Sequence, residues 1–339
     1  MLMHAKYLEE LKVLDTEILS SHPRIPSAVA ALTSLKSIAF PALNEAASKI
    51  IQESRSSLAK VEIGFWTDEA IGPGDPIPLL YRFAHCLRDL SVTYAEFSQQ
   101  DIMYTQVETL VIDDCRFALA QPLIACFPNL RDLSLWTGQE DEDLEDEEIE
   151  EHRQTNVQTQ ETVRWGYIQH LRGDIRSLYL LGLICQVEHL DVHSAFLTAS
   201  RADQLSVLLS NGRASALSIR IRVPGFERTI IDRALRPVKD SLMRLIVYVN
   251  FTEETDLEHR DQANQFIDAL SCALDRSSIT HLVVHLSSHD SETDPLISLD
   301  SVRLAEAAIQ HGPSIRYIAL IDYNGQPARS WEVASETRT

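Results

Sequence analysis

The sequence predicts an α/β repeat fold, in which short strands and helices alternate along the chain. Three observations support this prediction. One apolar pattern recurs along the chain, segments with helical spacing lie between its copies, and the composition is that of a folded protein. Of the 339 residues, 45% are hydrophobic, and only 11 are Gly and 13 are Pro. Collagen-like and wholly disordered classes of protein are therefore excluded.

The recurring pattern is apolar, two residues, apolar, one residue, apolar. The alternation of its last two apolar positions predicts a strand in each copy, and most copies start 20 to 29 residues after the previous one. The twelve copies are Leu8/Leu11/Val13, Leu35/Ile38/Phe40, Leu58/Val61/Ile63, Leu87/Leu90/Val92, Val107/Leu110/Ile112, Leu130/Leu133/Leu135, Ile175/Leu178/Leu180, Val187/Leu190/Val192, Ala214/Leu217/Ile219, Leu242/Leu245/Val247, Ile279/Leu282/Val284 and Ile315/Ile318/Leu320.

Four segments between these copies carry their apolar residues at the three- and four-residue spacing of a helix. They are residues 44–55, 201–209, 260–274 and 299–309. Strand and helix therefore alternate about once per repeat.

One copy continues into a more specific motif. The stretch Leu110-Val-Ile112-Asp-Asp-Cys115 resembles the L-x-L-x-x-[N/C] centre of a leucine-rich repeat, in its cysteine form. The sixth position differs in other copies, so the repeats are irregular. The residues there are Thr16, Leu43, Trp66, Ala95, Gly138, Ala195 and Arg222. Irregular repeats of this kind resemble the leucine-rich-repeat regions that follow an F-box in fungal substrate-adaptor proteins. No F-box is visible in the sequence.

The resemblance covers residues 8–322. It implies one leucine-rich-repeat solenoid over residues 1–339, with about twelve irregular repeats. A curved parallel sheet would form its concave face, and mainly helices its convex face.

Two segments depart from the repeats. Ten of the twelve residues from Glu140 to Glu151 are acidic, which predicts a disordered insertion over residues 139–160 whose removal leaves the fold intact. A flexible tail is expected over residues 324–339. The 12-residue gap between Ile175 and Val187 predicts two strands joined by a tight turn near Gly182.

Charge and cysteine usage limit the classes of partner and compartment. Fifty acidic and 30 basic residues give a net charge of −20, which opposes nucleic acid or an anionic membrane as the main partner. No apolar run has the length of a signal peptide or a membrane span. The five cysteines are scattered without a C-x-x-C pair, which predicts buried reduced thiols and a cytoplasmic or nuclear protein.

The sequence contains none of the common phosphate-binding, dinucleotide-binding, serine-hydrolase or zinc motifs, so no cofactor or metal is expected. His281 and His285 lie on a predicted strand about 13 Å apart, too far to share an ion without help from neighbouring repeats. His189, Asp191 and His193 alternate and would share one face. We interpret them as a hydrogen-bonded surface group, with a metal-dependent hydrolase site as the alternative.

The repeat register also predicts a binding surface. If the two apolar positions of each strand point inward, their neighbours point to the concave face. From the sixth repeat onward these neighbours are large aromatic residues, His and Arg, which are typical anchors of protein interfaces. The alternative is that they are ordinary strand formers or are covered by loops. The set comprises Trp136, Tyr179, His189, Asp191, His193, Arg220, Arg244, Tyr248, His281, His285 and Tyr317.

The predicted function is a noncatalytic scaffold that binds a protein or peptide on its concave face. By resemblance, it is similar to the substrate-recognition region of an F-box ubiquitin-ligase adaptor, and ubiquitin-ligase components are candidate partners. The alternatives are the metal-dependent hydrolase and an acidic regulator that binds a basic partner.

Overall fold

The structure is a computed structural model, and it confirms the α/β class. It describes residues 5, 7–65, 74–98, 101–114, 119–136, 146–193, 197–222, 229–251, 256–288, 300–321 and 327–333. Within these ranges, 13 strands form one sheet whose strand order is the order of the chain, and helices alternate with the strands. The described strand pairings are parallel except for the last, which is antiparallel.

The strands are short, between three and eight residues. They are β1 (Glu10–Lys12), β2 (Ser37–Phe40), β3 (Lys60–Gly64), β4 (Asp89–Thr93), β5 (Thr109–Asp113), β6 (Asp132–Leu135), β7 (Tyr167–Gly173), β8 (Gln186–Val192), β9 (Ala216–Arg222), β10 (Arg244–Phe251), β11 (His281–Ser288), β12 (Tyr317–Ile321) and β13 (Pro327–Glu332).

The helices range from single turns to five turns. They are α1 (Glu17–Ser20), α2 (Arg24–Ala30), α3 (Glu45–Glu53), α4 (Pro76–Leu80), α5 (Ala120–Cys126), α6 (Asp146–Thr162), α7 (Ile175–Leu181), α8 (Ala199–Gly212), α9 (Ile230–Leu235), α10 (Asp256–Leu274) and α11 (Ser301–His311). Short 3-10 turns follow α4 and α9.

The chain divides into two compact units. Unit 1 comprises residues 1–168 and 180–183, and unit 2 comprises residues 169–179 and 184–339.

In unit 1 the predicted apolar positions stack from strand to strand. Ile38 pairs with Val61, Val61 with Leu90, and Leu90 with Leu110, which pairs with Leu133. All five side chains are at most 1% exposed. Because alternate residues of a strand point to opposite faces, this register buries one whole face of the sheet.

Unit 2 repeats this arrangement with longer strands. From β8 to β12, each strand contributes one apolar residue that is paired with its counterpart on the next strand, and each is at most 2% exposed. These residues are Leu190, Leu217, Leu245, Leu282 and Ile318. Eleven of the twelve sequence copies coincide with a strand among the described residues, as the pattern predicts.

The four predicted helical segments correspond to α3, α8, α10 and α11. Each buries the apolar stripe found in its sequence; in α3 this stripe is Ala47, Ile50 and Ile51. The helix α3 begins at Asn44, whose side-chain oxygen accepts a hydrogen bond from the Ala47 amide at 2.9 Å.

The copy Ile175/Leu178/Leu180 was wrongly predicted to be a strand. These residues form α7, where Ile175, Leu178 and Leu181 are buried. The Asp174 side chain accepts hydrogen bonds from the amide of Ser177 at 2.8 Å and from its hydroxyl at 2.5 Å. The first two positions of the strand pattern are three residues apart, a spacing that suits a helix equally well. The Asp174 carboxylate at the N-terminus of this segment favours the helix.

The strand that the sequence pattern missed is β7. Its buried positions are Ile168, Leu171 and Gly173, which have the predicted spacing with glycine in the last apolar place. A strand signal based on large apolar residues does not detect this glycine.

The acidic insertion was expected to be disordered over residues 139–160. Residues 139–145 lie outside the described part of the chain, but Asp146–Thr162 form the helix α6. Polar side chains anchor this helix. Buried Asn156 accepts from the Ala120 amide at 2.9 Å and donates to the Leu180 carbonyl at 2.8 Å. Gln160 is fully buried and donates to the carbonyls of Leu181 and Gly182 at 3.0 and 3.1 Å.

The turn expected near Gly182 is present, but it follows a helix rather than a strand. Gly182 has a φ of +61°, which a glycine adopts without strain. A Cβ there would also lie 2.9 Å from a Val157 side-chain atom. The glycine therefore lets α6 approach this turn closely.

Part of the expected flexible tail is a strand. Residues 327–332 form β13, which pairs antiparallel with β12 and places Glu332 opposite Tyr317. Its Arg and Ser residues lack the apolar alternation that predicted the other strands. Residues 324–326 and 334–339 lie outside the described ranges.

Four of the five cysteines are described, and all four are free thiols. Cys126 and Cys185 are buried, whereas Cys86 and Cys272 are half-buried. Cys115 of the leucine-rich-repeat motif lies outside the described residues. Among the described helices, none is long and apolar enough to cross a membrane.

We expect Asn156→Ala to destabilise the chain by about 2–3 kcal/mol, because it removes two buried hydrogen bonds and leaves both backbone partners unsatisfied. Urea unfolding measures the change. Gln158→Ala is the matched control, since Gln158 is exposed on the same helix, and should shift stability by less than about 0.5 kcal/mol. Equal effects of the two substitutions would contradict the anchoring role of Asn156.

We expect Leu217→Ala to cost about 2–5 kcal/mol, because it opens a cavity in the apolar row of unit 2. Leu14, which is 72% exposed, provides the control substitution Leu14→Ala. Thermal and urea unfolding should separate the two variants clearly; a Leu217→Ala variant as stable as the control would refute the register of β9.

Candidate functional site

Three consecutive rows of side chains lie on the sheet face of unit 2 opposite the buried leucine row. Strand pairing aligns His189, Ala216, Arg244, His281 and Tyr317 in row one. Row two contains Asp191, Ser218, Ile246, Val283 and Ala319, and row three contains Arg220, Tyr248, His285 and Ile321. Contacts described below add His170 and Arg172 of β7, and His193 after β8. We call this set the Arg/His face.

His189 lies in a polar and partly buried environment. Its Nε2 is 3.0 Å from the Ser218 hydroxyl, and its ring lies 5.8 Å from that of His170. Burial lowers the pKa of His189, and the charges of His170, Arg244 and Arg172 lower it further, although Asp191 opposes them. His189 is therefore neutral at pH 7 and acts as a hydrogen-bonding group.

Asp191 is the centre of an ionic cluster. The Arg172 Nε donates to its Oδ2 at 3.0 Å, and the His193 Nε2 lies 3.1 Å from its Oδ1. Partial burial favours a raised pKa for Asp191, but the bonds and charges of His193 and Arg172 outweigh it and keep this pKa below its usual value. Asp191 is therefore ionised and already paired at neutral pH.

The proposed His189/Asp191/His193 group is thus only partly assembled. Asp191 contacts His193, whereas His189 bonds to Ser218. The Arg172 guanidinium also occupies the carboxylate that a metal ion would need, and its charge repels a cation there. Among the described residues, no three His, Cys, Asp or Glu side chains are placed to hold a metal ion.

Row three contains an aromatic stack. The rings of Tyr248 and His285 are parallel to within 18° and have centroids 4.4 Å apart. The guanidinium carbon of Arg220 lies 5.9 Å from the centroid of the Tyr248 ring, within the range of a cation–π contact. Burial lowers the pKa of His285. The side chains from three adjacent strands therefore form one layer, in the order Arg220, Tyr248 and His285. The exposed Arg220 guanidinium is at one end of this layer.

The far end of row one is also aromatic. The His281 ring lies 5.9 Å from the Tyr317 ring, and its Nδ1 is 2.8 Å from the Thr280 hydroxyl. His281 and His285 belong to different rows and contact different neighbours, as their spacing on the strand predicted. His289, the next histidine along the chain, lies outside the described residues.

On β10, β11 and β12, row two forms an apolar strip between rows one and three. Ile246 and Val283 are each 7% exposed, and Ala319 is 3% exposed. They pack with half-buried Tyr248, Tyr317 and Ile321, so β10, β11 and β12 supply the whole cluster. This second apolar cluster lies on the face opposite the leucine row.

The charge of this face differs in sign from that of the chain. On the described strands β7 to β12 it carries Arg172, Arg220 and Arg244, but its only carboxylate is Asp191, already bonded to Arg172. Glu332 continues row one on the edge strand β13. Arg220 and Arg244 are exposed. Neither forms an ion pair with any described side chain.

Two predicted residues are not members of this set in unit 2. Tyr179 is half-buried on α7, because its segment is a helix and not a strand. Trp136 follows β6 in unit 1, where it is half-buried and its amide donates to the Ile112 carbonyl at 2.9 Å. Sequence reasoning missed His170 and Arg172 together with β7. It also passed over Ile246 and Val283, since apolar residues between apolar positions appear to be core.

Comparison with protein-family models gives no match, and comparison with curated protein sequences also gives none.

The partly buried histidines His285 and His189 predict a pH-dependent stability. Burial lowers the pKa of His285 in the folded chain, so on acidification the unfolded chain binds the proton first. The free energy of unfolding should therefore decrease as the pH falls through the ordinary histidine value of about 6.5 towards the lower folded pKa. His189 contributes in the same direction.

The variant His285→Phe keeps a ring against Tyr248 and removes the titrating group. We expect its unfolding free energy, measured with urea at several pH values, to decrease less than that of the wild type between about pH 7.5 and 5. Parallel pH profiles of the two proteins would show that His285 does not contribute.

Proposed function

We propose that this chain is a noncatalytic protein-binding scaffold of the leucine-rich-repeat type, and that the Arg/His face of unit 2 binds its protein or peptide partner. The recurring apolar pattern, the parallel pairing in chain order and the alternating helices support the repeat type. Four free cysteines are consistent with a reducing compartment, so we place this function in the cytoplasm or nucleus.

The observation that carries the proposal is the Arg220–Tyr248–His285 layer beside the apolar strip. Aromatic side chains bury a large area at low cost in conformational entropy, and arginine adds directed hydrogen bonds. The stack holds the Tyr248 ring against His285, with the Arg220 guanidinium beside it, before any partner arrives. Preordered anchors around an apolar centre are typical of protein interfaces.

The resemblance to F-box leucine-rich-repeat proteins supports a more specific proposal. The bound partner would be a substrate protein presented for ubiquitin transfer, and ubiquitin-ligase components would be further partners. This step rests on fold analogy.

The contacts of Asp191 favour binding over metal-dependent hydrolysis. A catalytic zinc site needs three convergent protein ligands. The Asp191 oxygens instead contact the Arg172 guanidinium, whose positive charge repels a cation, and His193. His189, the remaining member of the predicted group, bonds to Ser218.

Replacing the anchors tests this function. We expect the double variant Arg220→Ala with Tyr248→Ala to lose partners that the wild type retains in quantitative affinity purification from native cells. The matched control is Arg131→Ala with Tyr81→Ala, which removes the same two residue types from exposed positions of unit 1. Circular dichroism and melting temperature establish whether each variant is folded.

A second variant avoids disturbing the apolar strip, since Arg220→Gln and Arg244→Gln change only exposed side chains. The proposal is supported when the same partner is lost with both face variants and kept by the control. Equal recovery of all partners by folded face variants would refute it.

A further inference from the structure

We propose that the Arg/His face recognises an extended acidic segment of its partner, in which two carboxylates lie four residues apart with an apolar side chain midway between them. This inference names the partner chemistry of the proposed binding function and depends on it.

The charge of the face supports an anionic partner. Arg220 and Arg244 are exposed, and they form no ion pair with the described side chains. The carboxylate of Asp191 is already bonded to Arg172 and does not neutralise them. In a chain of net charge −20, this local excess of arginine favours an acidic ligand over a basic one.

The spacing of the two arginines supports two separate carboxylates. Arg220 is paired with Tyr248, which lies four residues after Arg244 on β10. Four strand residues span about 13 Å. The two arginine side chains therefore leave the sheet at separate points. Two singly charged groups spaced four strand residues apart match them one to one.

The period of the face supports an extended conformation of the ligand. In an extended chain, residues i, i+2 and i+4 point to one side at intervals of about 6.6 Å. The three rows of the face have the same interval, since they are also two strand residues apart. A segment lying along β10 therefore places its first carboxylate at Arg244, its apolar side chain on Ile246 and Val283, and its second carboxylate at Arg220.

The neighbouring groups suit this arrangement. Tyr248 orients the Arg220 guanidinium from one side, which leaves N–H groups available for a carboxylate. Exposed His281 flanks Arg244 in row one, and His285 flanks Tyr248 in row three. Ile246 and Val283 are almost buried, so the central apolar contact is a shallow platform that accommodates one aliphatic side chain.

A probe peptide, two permutations of equal composition and one uncharged variant test the inference. The probe is a fluorescein-labelled peptide with the core Glu-Ser-Leu-Ser-Glu between Gly-Ser linkers. In one control, Glu-Leu-Ser-Ser-Glu, the leucine moves to the opposite side of an extended chain. In a second, Ser-Glu-Leu-Glu-Ser, the carboxylates come closer together. A third replaces both Glu by Gln.

Fluorescence anisotropy with the full chain should give an affinity for the first peptide at least about fivefold above that for each control. The Gln peptide loses two screened ion pairs, and Ser-Glu-Leu-Glu-Ser loses the match between its carboxylates and the two arginines. Glu-Leu-Ser-Ser-Glu loses the contact of its leucine with Ile246 and Val283. Raising the salt from about 50 to about 300 mM should weaken it. The variant Arg220→Gln with Arg244→Gln should reduce affinity to that of the Gln peptide. The control variant Arg131→Gln should leave it unchanged. Equal binding of the permuted peptides, or insensitivity to the two arginines, would overturn the inference.

A random peptide display selection separates this inference from the proposed function. Wild-type chain and the folded Arg220→Ala, Tyr248→Ala variant are used in parallel. Acidic peptides with the stated spacing, selected only by the wild type, support both. Selected peptides that depend on the face but lack paired acidic residues overturn the inference and leave the proposed function standing. If no selected peptide depends on the face, both fail.

Discussion

The burial of a single row of leucines, one from each of four neighbouring parallel strands, determines the rest of unit 2. These leucines are in register and at most 2% exposed: Leu190, Leu217, Leu245 and Leu282. Because strand side chains alternate, this single constraint directs their neighbours to the other face. A slip of one residue would bury Arg244 or His281 beside the helices, so the register is strongly specified. Because the leucine row sets the register, the residue types on the Arg/His face are not constrained by strand register and can serve binding.

The same constraint explains which parts of the fold the sequence could predict. Where large apolar residues occupy both alternating positions, as in Leu245 and Val247, the strand is evident from the sequence alone. Gly173 takes such a position in β7 and leaves no hydrophobic signal. Ile175 and Leu178 then gave a false strand, since their spacing is shared by helices and only the Asp174 contacts distinguish the two.

The helix α6 shows a different limit of sequence reasoning. Composition predicted disorder because Asp146–Thr162 contains few apolar residues. Its anchors are the buried amides of Asn156 and Gln160, which satisfy backbone groups of α5 and of the turn after α7. Such bonds depend on the tertiary structure, and the sequence does not distinguish a buried glutamine from an exposed one. For the candidate site, alternation predicted Arg220, Arg244, Tyr248, His281, His285 and Tyr317, whereas Arg172 required knowledge of β7.

The histidines of the Arg/His face connect its stability to the ligand that we propose. His285 and His189 are partly buried, and in the free protein burial disfavours their charged forms. A carboxylate placed nearby favours the charged form and raises the pKa of each imidazole. Acidification then has two opposing effects: it destabilises the free fold, and it increases the attraction of the face for an anion. By linkage, an acidic ligand stabilises the folded chain most where the free chain is weakened by protonation. A face lined with arginine alone would lack this dependence, because guanidinium groups keep their charge throughout the physiological range.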